Sequence, residues 1–121
     1  MTLKLEIRPE CSRDAEAIAQ LIRSAFLGMP YADGDEAELV EALRAQSALS
    51  ISLVAEREGT IVGQVAFSPA RAPGDTPGWY ALGPVAVLPA YQRGGIGSAL
   101  IRTGLQSIIE AAPVFGAVIT L

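Results

Sequence analysis

Apolar and polar residues alternate from Leu3 to Arg8, the period of a half-buried strand, and Pro9 ends the run. Ser12 stands where a helix N-cap is expected, with Asp14 and Glu16 in the turn that follows. Ile18, Leu21, Ile22, Ala25 and Phe26 then recur at helical spacing on one face, until Gly28, Met29 and Pro30 stop the pattern. A second helix is predicted over 35–46, with Leu39, Val40 and Leu43 as its apolar stripe. Residues 51–57 and 60–67 are strand-like, and Glu58-Gly59 between them reads as a tight hairpin turn, because glycine supplies a positive φ. Residues 69–78 hold three prolines and two glycines and are expected to form a loop.

From Trp79 to Leu88 the chain is almost continuously apolar, as in a strand buried on both faces, and Pro89 closes it. A glycine-rich stretch follows, then a helix over 96–112 whose buried stripe is expected at Ile101, Leu105, Ile108 and Ala112. Pro113 breaks that helix and 116–121 is a final strand. The order is β-α-α-β-β-β-α-β, an α/β chain with a mixed sheet. The strands up to Leu88 should be antiparallel. The last should run parallel to the one before the glycines, because a helix connects the two and parallel neighbours need a crossover. Residues 1–121 are read as a single domain.

Half of the 121 residues are hydrophobic and 18% are charged, so a packed core is expected rather than disorder. The net charge of −4 disfavours a phosphate backbone as partner, which excludes general nucleic-acid binding, and mildly favours a cationic substrate. There is no histidine and one cysteine, Cys11, expected to be a small buried residue near a strand end. Neither a Ser-His nor a Cys-His mechanism can be built, the commonest zinc ligand is missing, and no metal is expected. No apolar run reaches the length of a membrane span and the first residues lack a signal-peptide layout, so a soluble cytoplasmic protein is expected. Uncharged 116–121 would be an edge that recruits other chains, and self-association, as a homodimer for instance, is expected.

The chemistry concentrates in strand, then Gln92-Arg93-Gly94-Gly95-Ile96-Gly97-Ser98, then helix. A helix N-terminus presents unpaired N–H groups and a partial positive charge. Glycines there remove the Cβ atoms that would hold an anion away, leaving a diphosphate cradle made of backbone. Ser98 adds a hydroxyl and Arg93 a charge at the rim. The same glycines also suit a plain strand-to-helix turn. A Walker loop is disfavoured because no lysine precedes Ser98. A dinucleotide fingerprint is disfavoured because the loop reads G-G-x-G and no acid follows in the last strand.

The stretch from Leu82 to Leu100, LGPVAVLPAYQRGGIGSAL, resembles the GNAT superfamily of acetyl-CoA-dependent N-acetyltransferases. Gln92, Gly95 and Gly97 match the family's loop signature, and the V-x-V-x-P lead-in and the order of elements match as well. The resemblance implies a GNAT-type acyl-CoA N-acyltransferase fold, with acetyl-CoA as co-substrate and a small-molecule or protein amine as acceptor. It implies direct attack by that amine in a ternary complex. It also implies that the strand before the loop splays from its parallel neighbour, so that the backbone of Val85, Ala86 and Val87 holds the thioester arm. Gly83-Pro84 is a break where the sheet could open, since proline cannot donate to a ladder. An unperturbed alkyl amine needs about 4.6 kcal/mol to lose its proton at pH 7, so a general base would help. Glu56, Glu58 and Tyr80 are candidates, none singled out. Family members usually continue with a further helix and two strands, which this sequence lacks. The alternative is therefore a catalytically incomplete CoA-binding module of the same fold.

Overall fold

The computed structural model describes residues 5–30, 34–72, 76–111 and 118–120. Five strands form one sheet in the order β1 (Leu5–Pro9), β2 (Ile51–Arg57), β3 (Thr60–Ala72), β4 (Thr76–Val87) and β5 (Val118–Thr120). The first four are antiparallel to their neighbours and β5 is parallel to β4, as the crossover argument requires. Helices α1 (Ala15–Phe26) and α2 (Glu36–Ala45) follow β1, and α3 (Ile96–Ala111) follows β4. Val54, Ala66 and Ala86 pack with α1 and α2 on one face of the sheet. Leu53, Val65, Phe67 and Leu82 pack with α3 on the other.

The hairpin turn is as expected: Glu58 and Gly59 both take positive φ, 51° and 82°, the pair a two-residue hairpin with right-twisted strands demands. Several expectations need correcting. The segment 69–78 is not a loop, because β3 and β4 extend through most of it and pair Pro69 with Tyr80 and Ala72 with Thr76. Pro69 is tolerated there because the β2–β3 pairing ends at Ile51 and Phe67, leaving β3 an edge with no ladder to donate to. Ser12 does not cap α1; a short 3-10 turn over Ser12–Asp14 intervenes. Its capping contact comes from Asp14, whose carboxylate accepts the Cys11 N–H at 2.6 Å. Cys11 itself is exposed, not buried.

The stripe of α2 is rotated from the expected one. Ala37 and Val40 are buried, whereas Leu39 is 42% exposed. In α3 the fully buried positions are Ile96, Leu100, Gly104 and Ile108, with Ile101 and Leu105 only partly buried. The reason is Gly104: a Cβ there would lie 2.3 Å from Cε1 of Phe67, so the helix presses its glycine onto that ring. Hydrophobic periodicity gives a glycine no weight and so misplaces the face. Residues 112–117 and 121, including Ala112, Pro113 and Gly116, lie outside the described residues.

Candidate functional site

The last turn of β4 leads into a short 3-10 helix at Pro89–Tyr91, and Tyr91 donates its N–H to the Leu88 carbonyl at 2.8 Å. Gln92 then folds back, its Nε2 donating to the Val87 carbonyl at 2.9 Å. Arg93 and Gly95 both take left-handed backbone, with φ of 68° and 84°. Gly95 closes the loop as the cap of α3, since Ala99 donates to its carbonyl at 3.0 Å. The N–H groups of Ile96, Gly97 and Ser98 therefore have no acceptor within the helix. Residues Gln92 to Gly95 are exposed, and Ile96 is buried as the anchor. That anchor depends on Gly63 of β3, where a Cβ would come within 3.0 Å of Ile96 Cγ2 and Leu100 Cδ1. Sequence reading missed Gly63; a lone glycine between valine-rich flanks was its only signal.

The strand expected to face the loop does so in part. A Cβ on Gly97 would lie 3.8 Å from both Val85 Cγ1 and Val87 Cγ2, so loop and strand meet there. Among the described residues β5 pairs with β4 at Tyr80, Ala81 and Leu82. Immediately afterwards Val65 pairs with Val85 and Phe67 with Leu82, so Gly83 and Pro84 stand opposite Ala66 alone as a bulge. Gly83 has φ 145°, which favours glycine. Beyond the bulge β4 has no described neighbour on its β5 side.

Ladder parity says which atoms look into that gap. Leu88 donates to the Val62 carbonyl at 2.9 Å, so Leu88 and, two residues back, Ala86 direct their backbone groups at β3. Val85 and Val87 direct theirs away from it. The Val87 carbonyl is taken by Gln92, which leaves the Val85 N–H and carbonyl and the Val87 N–H facing the gap. Ala86 belongs to the ladder with Gln64, and its side chain is buried under α1 and α2.

The sequence and the fold that carry this site are similar to those of known proteins. A family model described as Acetyltransferase (GNAT) family matches residues 15–115. The chain belongs to this family. It is 38% identical over 117 residues to the uncharacterized N-acetyltransferase YhbS of Escherichia coli K12, covering 95% of this chain and 65% of YhbS. The crystal structure of YhbS in complex with CoA is similar with a TM-score of 0.88 and 35% identity, over 100% of this chain and 64% of that one. A GNAT acetyltransferase from Brucella melitensis, in complex with acetyl-CoA, gives a TM-score of 0.87 and 48% identity, over 90% of this chain and 71% of that one. The GNAT chain described here thus spans about 65% of its curated relative's length.

The acid–base candidates of this GNAT domain are not brought together. Glu56 is engaged by Arg8, whose Nε and Nη2 donate to its Oε1 at 3.0 and 2.8 Å. The same guanidinium holds Asp14 in a two-pronged contact at 2.8 and 3.2 Å. The Arg8 hydrogen bonds, aided by the Cys11 N–H, hold the Asp14 carboxyl below its usual range against the opposing effect of burial. Arg8 in turn is raised, first by Asp14 and then by Glu56. Glu58 is exposed in its turn, and Tyr80 is half-buried in the cluster under α3.

A second polar chain lies under α2. Arg44 donates to Glu10 at 2.8 and 2.9 Å, Ser52 donates to Glu10, and Gln64 Nε2 donates to Ser52 at 3.1 Å. Burial pushes Glu10 up, but the Arg44 and Ser52 bonds outweigh it and its pKa is lowered. Both chains tie β1 to the helices and the next strands. Among the described residues no group of three or more His, Cys, Asp or Glu is arranged to hold a metal, and no helix is long and apolar enough to cross a membrane.

Proposed function

We propose that residues 1–121 act as one acetyl-CoA-dependent N-acetyltransferase domain in the cytoplasm, with a small-molecule or protein amine as acceptor. The observation that carries this reading is the meeting of two features at Gly97: the unpaired N–H groups at the start of α3 and the free backbone edge of Val85 and Val87. The diphosphate of acetyl-CoA would accept hydrogen bonds from the backbone of Gln92 to Ser98, with Arg93 at the rim. The amide-bearing thioester arm would pair with Val85 and Val87 as an added strand does. The two relatives solved in complex with CoA and with acetyl-CoA support this choice of ligand.

In the ternary complex the amine gives up a proton, and its lone pair forms the N–C bond at the thioester carbonyl. The C–S bond then breaks and CoA leaves as a thiolate that takes up a proton. No covalent enzyme intermediate is needed, which suits a chain without histidine. The second reading, a CoA-binding module without transfer, is favoured by the state of the acid–base candidates: Glu56 is paired with Arg8, and Tyr80 is half-buried against the core. Calorimetric titration with acetyl-CoA, run beside thiol release over a panel of amines, separates the two. Binding with release supports the transferase, binding without release the module, and no binding overturns both.

A further inference from the structure

The glycine loop is also held from a strand to which it is not connected. Arg57, the last residue of β2, pairs with Leu5 of β1 on one side and with Thr60 of β3 on the other. Two ladders and the tight Glu58-Gly59 turn thus fix its backbone. Its Cζ lies 5.7 Å from the centroid of the Tyr91 ring, within the range of a cation–π contact. Both residues are half-buried, and Tyr91 packs against the cluster under α3. Arg8, Arg23 and Arg44 each pair with a carboxylate, whereas Arg57 pairs with none among the described residues. Its Nε is buried without a hydrogen-bond partner among them. A guanidinium in that state is costly, and the π face of Tyr91 is the contact that offsets the cost.

This inference rests on the proposed binding of acetyl-CoA. Tyr91 is the residue immediately before the loop, and Gln92 to Gly95 are exposed. Arg93 stands at φ 68°, a conformation disfavoured for a residue with a Cβ, and Gly94 and Gly95 restrict the backbone little. Left to itself such a segment samples many conformations, and a diphosphate would have to order it on binding. A loop ordered beforehand binds more tightly. At its far end the loop is anchored by Ile96 over Gly63. At its near end the anchors are the Gln92–Val87 bond and the Tyr91 ring against Arg57. We propose that Arg57 is a positioning residue for the diphosphate of acetyl-CoA. By holding the Tyr91 ring it fixes the direction in which the chain enters Gln92 to Ser98, so that the backbone N–H groups converge before the ligand arrives. Arg57 acts through Tyr91 and needs no contact with the ligand.

Arg57→Met keeps much of the side chain's length and removes its charge. It should weaken acetyl-CoA binding about three- to tenfold in a calorimetric titration of the full chain. Tyr91→Leu should do the same. The double variant should bind no worse than either single one, because both remove one shared contact. Arg57→Lys keeps the charge without the planar face and should fall between the parent and Arg57→Met. Tyr91→Phe keeps the ring and should retain most of the affinity that Tyr91→Leu loses. Lower melting temperatures with unchanged affinity in the folded variants would make the contact structural only and overturn the proposal. Losses that add in the double variant overturn it too, since Arg57 would then act without Tyr91. If Arg57→Met and Tyr91→Leu do not fold, Arg57→Lys decides, and an affinity equal to the parent's overturns the proposal. Failure of the underlying reading is distinct: the parent chain would then not bind acetyl-CoA in the same titration.

Discussion

The Gln92 side-chain amide donates to the Val87 carbonyl at 2.9 Å, tying the first residue of the glycine loop to the last residue of β4. It removes one acceptor from the gap and sets where the loop starts relative to the free strand edge. Gln92 is exposed, so this bond does little for the core. Gln92→Leu should weaken acetyl-CoA binding by about three- to tenfold, the scale of one hydrogen bond, with an unchanged melting temperature. Calorimetry and a thermal melt check it. A fall in melting temperature of the same proportion would make the bond a fold element instead.

Asp14 joins β1 to the entry of α1 through Arg8 and is 6% exposed. Asp14→Asn leaves the Arg8 guanidinium with one carboxylate instead of two and should destabilise by about 3 kcal/mol. The pH dependence follows from the depressed pKa. Asp14 is below its unfolded value, so its stabilisation is complete above the unfolded carboxyl pKa of about 3.9 and disappears as pH falls through the folded value. Urea melts of the parent at falling pH should lose stability faster in that acid window than melts of Asp14→Asn. Parallel losses would show that Asp14 contributes no acid sensitivity.

Gly104 touches the ring of Phe67 so closely that even a methyl group has no room, and Phe67 is fully buried. Gly104→Ala should therefore destabilise by about 1–3 kcal/mol, even though alanine is the better helix former. That corresponds to a drop of roughly 4–12 °C in melting temperature for a domain of this size. A variant as stable as the parent would mean that α3 shifts outward without penalty.

Much of this architecture was legible in the sequence, and the errors have physical causes. The Glu58-Gly59 turn, the parallel β4–β5 pair and the break at Gly83-Pro84 followed from backbone rules that few residues satisfy. The extension of β3 and β4 across 69–78 was hidden because proline counts against a strand, except at an edge with no neighbour. Gly63 and Gly104 were invisible as packing residues, since what they supply is absent volume. The loop Gln92 to Ser98 was legible as a unit, but the separate roles of Val85, Ala86 and Val87 needed the ladder parity fixed by Leu88 and Val62. Glu56 could not be judged from sequence, because its partner Arg8 lies on another strand.

The two loop glycines differ in what they ask of the backbone, and that difference gives the sharpest test of the cofactor reading. Gly95 has φ 84° and open space around it, so Gly95→Ala is strained even without ligand, by about 1–2 kcal/mol. Gly97 has no such constraint, and a Cβ there meets Val85 and Val87 at an ordinary 3.8 Å. Gly97→Ala should thus leave stability unchanged or slightly raised, since alanine is preferred over glycine in a helix. Its methyl group nevertheless enters the space between the start of α3 and the edge of β4, where the diphosphate and arm would run. Losing one charge-assisted backbone bond costs about 1.5–3 kcal/mol, so affinity for acetyl-CoA should fall by about one to two powers of ten. Gly97→Val should lose roughly two to four, because its branches also displace the two valines. Arg93→Ala should lose less than either, since a rim charge is exposed and screened by salt. Calorimetric titration of the variants, with circular dichroism to confirm folding, separates the cases. A folded, stable Gly97→Ala or Gly97→Val that binds acetyl-CoA as tightly as the parent would make the loop a turn and nothing more.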